Sequence, residues 1–323
     1  MKQMRIVGLG DYHDYYSAFT YGILEGAIRC GAWFRPVPLF GQSLSAVESQ
    51  INFFQPHLIL CHMIFNRQPH NRDDVFEMLR RLKSKGIIIA YHAGDARKIP
   101  RYEGDISSFV DFCLMNHGMM EQFSNIWRVP CFYWPYACLY QEGVSDVDKR
   151  FKCKIAFTGA LSDEPGSVHY DRSVFIRRLM DKGLVKLFPT PETGNTRFLT
   201  AELSSSADSV LGIGMAEDIP QYLDVRPFQY IGAGAIYLHN RSNAMRKMFQ
   251  PDVHYIEYEP LDTTSLLFQI ERHSKISHNM RQLGFEFAQK YHSTKERMQF
   301  VLDLIDGKEV QYPYLENLWW KQS

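Results

Sequence analysis

The sequence predicts an α/β protein built as two doubly wound, Rossmann-like halves, each a parallel sheet with helices on both faces. Three observations predict it. Short apolar runs alternate with segments of helical periodicity, the pattern of successive βαβ units. The alternation breaks at a polar stretch, Gln141-Glu-Gly-Val-Ser-Asp-Val-Asp-Lys-Arg150, and then resumes. With 323 residues, 45 % of them hydrophobic, the chain can bury two cores of ordinary size.

In the first half, strands are expected at Met4–Leu9, Trp33–Leu39, Pro56–Met63, Ile87–Tyr91, Phe109–Met115 and Cys131–Trp134. Helices are expected between them at 17–29, 43–54, 73–85 and 119–126, the second opened by Ser43 as cap and the third closed by Gly86. The polar stretch within 136–152 reads as a linker. Beyond it strands are expected at Cys153–Thr158, Leu184–Phe188, Ser209–Ile213, Ala235–Leu238 and His254–Tyr258. Helices fall at 171–182 and 200–205, after Asp224, and between Leu261 and Ile305. This divides the chain into residues 1–140, 153–305 and an aromatic tail, 306–323, with Tyr312, Tyr314, Trp319 and Trp320.

Composition narrows the function. Lys plus Arg equals Asp plus Glu at 36 each, so no global basic field marks a nucleic-acid partner. Two local runs stay open as patches, Arg80-Arg-Leu-Lys-Ser-Lys85 and Arg97-Lys98 with Arg101, although such runs are ordinarily solvated faces. No run of about 18 apolar residues occurs, so no membrane span is expected, and the opening residues lack a secretory pattern. Six cysteines without a CxxC pair read as buried thiols in a reducing compartment. A soluble cytoplasmic protein, monomeric or homodimeric, is the expectation. Neither HExxH nor another metal-ligand spacing occurs, and Asp146-Val-Asp148 lies in the linker, so no metal site is expected.

The most informative stretch is Asp224-Val-Arg-Pro-Phe-Gln-Tyr-Ile-Gly-Ala-Gly-Ala-Ile-Tyr-Leu238. A helix would put Arg226 and Gln229 on one face, three residues apart. Gly232 and Gly234 then let the backbone turn tightly before a buried strand. A cation and an amide beside bare glycine backbone can hold a nucleotide or sugar phosphate; the plainer alternative is an ion pair between Arg226 and Asp224.

Through Arg226, Phe228, Gln229, Gly232 and Gly234 the segment resembles the donor-site signature of GT-B glycosyltransferases of the spore-maturation-protein-like group. That pattern runs Arg-x-Phe-Glu-x-x-x-x-Gly before a strand. Gln229 departs from it, replacing a glutamate that holds the donor ribose, so an uncharged amide would have to accept the hydroxyl. Tyr255-Ile-Glu-Tyr-Glu259 and Gly284 to Arg297 also look like the family's closing segment. The resemblance implies the GT-B fold, two Rossmann-like domains facing a central cleft, with a C-terminal segment packing back on the first. It implies a metal-independent transfer of a sugar from a nucleoside-diphosphate sugar, UDP-type favoured, to an acceptor hydroxyl. A glycan, a small molecule or a modified DNA base could be the acceptor. A non-catalytic nucleotide-sugar-binding scaffold and a nucleotide-sugar isomerase are the competing expectations.

Ligands of open parallel sheets bind beyond the carboxyl ends of strands, which ranks the other candidates. Gly8-Leu-Gly10-Asp-Tyr-His-Asp14 follows the first strand; Gly10 and Asp11 would line the acceptor side, His13 would act at the reaction centre, and Asp11 or Asp14 could equally cap a helix. His92-Ala-Gly-Asp95 follows the fourth strand, where Asp95 or His92 could remove the acceptor proton. An Asp after Gly is also ordinary turn chemistry, and His92 also reads as a hydrogen-bonded core histidine. Phe157-Thr-Gly159-Ala-Leu-Ser162 follows the first strand of the second half; its bare backbone suits the donor phosphates, with Arg172 on the next helix to balance charge.

Overall fold

The computed structural model describes residues 3–10, 18–62, 70–93, 104–159, 161–167, 169–188, 196–214, 219–273 and 277–310. Among them, residues 3–10 and 23–135 form one compact unit, and residues 18–22 and 136–310 form the other.

The first unit carries the strands β1 (Arg5–Gly10), β2 (Trp33–Pro38), β3 (Leu58–His62), β4 (Ile88–His92), β5 (Phe112–Met115) and β6 (Cys131–Tyr133). The intervening helices are α1 (Ala18–Arg29), α2 (Leu44–Phe54), α3 (Arg72–Ser84) and α4 (Met120–Trp127). All strand pairs are parallel, in the order β2-β1-β3-β4-β5-β6. The inner strands β3 and β5 are buried along their whole length, as a sheet covered on both faces requires. One face packs Val7, Leu9, Ile59, Cys61, Ile89, Tyr91 and Cys113 against Val47 and Ile51 of α2 and Val75, Met78 and Leu79 of α3. Local chemistry sets the helix ends: Ser43 accepts from the Ala46 N–H at 3.3 Å, and Asn71 from the Asp73 N–H at 2.9 Å. Asp73 and Asp74 open α3 while Arg81 and Lys83 close it, matching its dipole.

The second unit repeats the plan with β7 (Ile155–Thr158), α5 (Tyr170–Asp181), β8 (Val185–Phe188), α6 (Thr196–Ser206), β9 (Ser209–Gly212), α7 (Val225–Gly232), β10 (Tyr237–Asn240), α8 (Asn243–Met248) and β11 (Ile256–Tyr258). Helices α9 (Thr263–His273), α10 (Ser277–Tyr291) and α11 (Thr294–Ile305) follow. Its parallel sheet runs β11-β10-β9-β7-β8. Both sheets therefore wind outward from their first strand in the 2-1-3-4-5 sense, which places the switch points between β1 and β3 and between β7 and β9.

The stretch expected to link the halves groups with the second unit. The Cys138 N–H donates to the His292 carbonyl and the Thr294 N–H to the Cys138 carbonyl, both at 2.9 Å. Gln289 on α10 donates to the carbonyls of Leu139 and Gly232, at 3.0 and 2.7 Å. Asp148 caps a single 3-10 turn and pairs with Arg150, which holds its carboxyl below the usual range, chiefly through that hydrogen bond. The first residues of α1 belong with the same unit: a Cβ on Gly22 would lie 2.6 Å from the Thr294 methyl and 3.3 Å from Leu139. The tail 311–323 lies outside the described residues.

Candidate functional site

At the switch point of the second sheet, β7 ends at Thr158 and Gly159 follows with φ +144°. Only glycine adopts that geometry readily, and a Cβ there would sit 3.3 Å from Nη1 of Arg226 and from the Phe157 ring. Arg226 reaches this point from the first turn of α7. Asp224 caps the helix by accepting from the Arg226 N–H at 3.0 Å, and the same carboxylate takes Nε at 2.9 Å and Nη2 of the guanidinium. Nη1 donates to the Thr158 carbonyl at 3.3 Å. Three of the five guanidinium N–H groups are thus committed among the described residues, and the side chain stays 17 % exposed. Burial works against both charges of the pair, and their mutual attraction outweighs it: Asp224 lies below and Arg226 above the ordinary range.

Around this pair the wall is aromatic. Tyr230 and Thr158 share a hydrogen bond of 2.6 Å between hydroxyls, and burial raises the Tyr230 phenol to about 12. A Cβ on Gly212 would overlap the Tyr237 ring, while Tyr258 donates to the Gly212 carbonyl at 3.0 Å. Asn240, at the end of β10, accepts from the Gly214 N–H at 2.6 Å and so pins the loop that leaves β9. Gln229, one turn into α7, is buried, and its side-chain amide hydrogen-bonds to no described residue. Arg172 on α5 is only 3 % exposed, with its guanidinium over the Phe157 ring at 5.8 Å.

At the carboxyl edge of the first sheet a Cβ on Gly10 would overlap the His62 carbonyl. His62 and His92 end β3 and β4 with their Nδ1 atoms 2.9 Å apart and their rings stacked at 5.0 Å. Trp134, just past β6, lies edge-on to His92 at 5.0 Å. Burial keeps both imidazoles neutral, His62 pulled down to about 3 and His92 well below its usual value. Beyond β5 come Asn116 and His117, both 0 % exposed.

The sequence model of a family described as glycosyl transferase-like matches residues 198–303, which span the Arg226 segment. No curated protein sequence matches the chain. Among solved structures, a glycosyltransferase from Rickettsia africae superposes with a TM-score of 0.62 at 7 % identity, covering 94 % of this chain and 98 % of that one. HepE of Anabaena, in complex with UDP and glucose, superposes with a TM-score of 0.61 at 11 % identity, over 94 % of this chain and 100 % of its own. The β-glucosyltransferase of phage T4, in complex with UDP-glucose, gives 0.58 at 11 % identity, over 93 % and 99 %.

The chain has the GT-B glycosyltransferase fold. Within the second sheet of this GT-B chain, Gly159 and Arg226 adjoin, Arg172 approaches them through Phe157, and Gln229 lies on the same helix as Arg226. Gly232 and Gly234 face another part of the chain. A Cβ on Gly232 would overlap Cys138, and one on Gly234 would come within 2.6 Å of Val144, so their bare backbones admit the segment after residue 136. In the first sheet Gly10 and His92 stand at the carboxyl edge, whereas Asp11, His13, Asp14 and Asp95 fall outside the described residues. The basic run on α3 is occupied: Arg80 pairs with Glu77, Arg81 with Glu48, Lys83 with Asp111, and Lys85 donates to Asn52. Arg97, Lys98 and Arg101 also fall outside the described residues. Among the described residues no helix is long and apolar enough to cross a membrane. His62, Asn116 and His117 carried no motif; the only signal available in sequence was a polar residue closing an apolar strand.

Proposed function

We propose that this GT-B protein is a glycosyltransferase that moves a sugar from a nucleoside-diphosphate sugar, of UDP type, to an acceptor hydroxyl. The meeting of Gly159 and Arg226 at the switch point of the second sheet, with Gln229 buried on the same helix as Arg226, carries this reading. The leaving diphosphate gathers negative charge as the glycosidic bond breaks. A guanidinium already oriented by Asp224 and the Thr158 carbonyl meets that charge with little reorganisation. Its remaining N–H groups and the backbone N–H groups after β7 face phosphate oxygens in this reading. The Gln229 amide suits a ribose hydroxyl, its carbonyl accepting and its NH2 donating. The first unit supplies the acceptor side, with Asp95, three residues after His92 in the sequence, as the base that removes the hydroxyl proton. The sugar nucleotide is then a substrate and no further cofactor or metal is needed; the protein works in the cytoplasm as a monomer or homodimer.

Calorimetric titration with nucleoside diphosphates tests the donor site. UDP binding is expected, weakened in Arg226→Ala by about 2 kcal/mol or more, the scale of a lost charged hydrogen bond; an unchanged titration would remove Arg226 from the site. Asp95→Asn is expected to retain nucleotide binding and lose at least about 100-fold in turnover, so full activity there would reassign the base. A well-folded protein that responds to no nucleotide would instead be a scaffold on the same fold, the reading that Gln229 in place of a glutamate favours.

A further inference from the structure

Two consecutive buried side chains just beyond β5 keep polar atoms without partners among the described residues. Among the described residues neither amide atom of Asn116 has a hydrogen-bond partner, and Nε2 of His117 has none. His117 is otherwise anchored, its Nδ1 accepting from the Met119 N–H at 3.3 Å and its ring packed edge-on against Phe123. Buried polar groups are almost always satisfied, and an amide with both ends unmade is costly to keep. Asn116 lies one step beyond the paired Met115 and Tyr133, in register with Trp134, whose N–H donates to the Met115 carbonyl at 2.5 Å. This is the sheet edge at which doubly wound folds take ligands.

We propose that Asn116, with His117 beside it, forms the floor of the acceptor site and selects an uncharged, hydroxyl-bearing ring, a neutral glycoside. The proposal rests on the glycosyltransferase reading and names the acceptor class for it. An amide offers an accepting oxygen and a donating nitrogen side by side, and neighbouring hydroxyls satisfy both because each donates and accepts. A carboxylate would satisfy only the NH2, and an ammonium only the carbonyl. The described side chains at this edge, His62, His92, Asn116, His117 and Trp134, provide no cation, so an anionic group set among them would be buried unpaired, and the Asp95 carboxylate of the proposed base would repel it. A nucleic-acid acceptor fits the surface less well, since the basic run on α3 is already matched by Glu77, Glu48 and Asp111 and has little left for phosphates.

Saturation-transfer NMR on the full chain with UDP present tests this. The probes are methyl β-D-glucoside, methyl β-D-galactoside, methyl β-D-glucuronide, glucosamine and a short DNA duplex carrying hydroxymethylated bases. A signal from a neutral glycoside is expected in the wild type, weaker by at least about tenfold in Asn116→Leu. The UDP titration of that variant should be unchanged, and its thermal midpoint equal to or above wild type because the unmade amide is gone. His117→Phe provides an independent variant with the same expectation should Asn116→Leu not fold. Glycoside binding retained in the variants, a stronger signal from the glucuronide, glucosamine or the duplex, or no signal from either glycoside overturns the assignment. Failure of UDP to bind the wild type would sink the donor reading instead, so the two failures are distinguishable.

Discussion

At the scale of single residues, the donor side turns on how Asp224 and Arg226 share one carboxylate. Asp224 does two jobs, capping α7 and orienting the guanidinium, so Asp224→Asn removes the ion pair while leaving a serviceable cap. The carboxyl is held below its ordinary value in the folded chain, so its contribution is present above the unfolded carboxyl pKa and is lost as pH falls through the folded value. Asp224→Asn should therefore be less stable than wild type by about 1–3 kcal/mol at neutral pH, and urea titrations should show the gap closing in acid. A gap that persists unchanged at low pH would mean the carboxylate charge is not the cause. Gly159→Ala tests the neighbouring backbone: with φ +144° and Arg226 3.3 Å from the new methyl, it should weaken UDP binding and leave the far-UV spectrum intact. The sequence pattern made Arg226 visible because it stands three residues before Gln229 in a glycine-closed stretch that resembles a donor-site signature. It left Asn116 and His117 invisible, because what marks them is the absence of partners, which only packing reveals.

At the scale of elements, periodicity recovers the strands and, apart from the six-residue α8, the α-helices in order, while two relations lie beyond it. One is strand order, which local apolar runs do not encode; the 2-1-3-4-5 winding emerges only from which edges pair. The other is the use of the glycines after α7. Gly232 and Gly234 suggest close approach of a neighbour or a ligand, and a neighbour that approaches is the chain itself, through Cys138 and Val144. Gly232→Ala should consequently destabilise the second unit by about 1–3 kcal/mol through overpacking, with Cys138→Gly in the same chain, which removes the opposing Cβ, recovering part of the loss; no rescue would place the conflict elsewhere. The carboxyl edge of the first sheet carries its own pH signature. His62, lowered to about 3, and His117, lowered to about 4, are neutral in the fold but protonate near pH 6.5 when it opens. Their folded values lie below the unfolded one, so stability is complete above about pH 6.5 and declines toward pH 4, by up to about 1.4 kcal/mol per pH unit for each extra proton. Denaturant midpoints between pH 7.5 and 4.5 should fall accordingly, and His117→Phe should flatten the slope.

At the scale of the whole molecule, two sheets with separate cores predict partial autonomy. Residues 136–323 expressed alone should fold and bind UDP, with a lower thermal midpoint than the intact chain, because Gly22 no longer lies on Thr294 and Leu139. An unfolded product would show that the second core is insufficient by itself. That same contact has a consequence in time. A ribosome adding about 5–20 residues per second separates the emergence of Gly22 and Thr294 by very roughly a quarter of a minute to a minute. The front of α1 must wait through that interval with its intended neighbour unmade, while its back can already settle on the first sheet. Translation pauses late in the message would lengthen the wait and prolong the exposure of that turn to chaperones, whereas a circular permutant beginning near residue 136 would have the α11 contact surface ready before α1 is made.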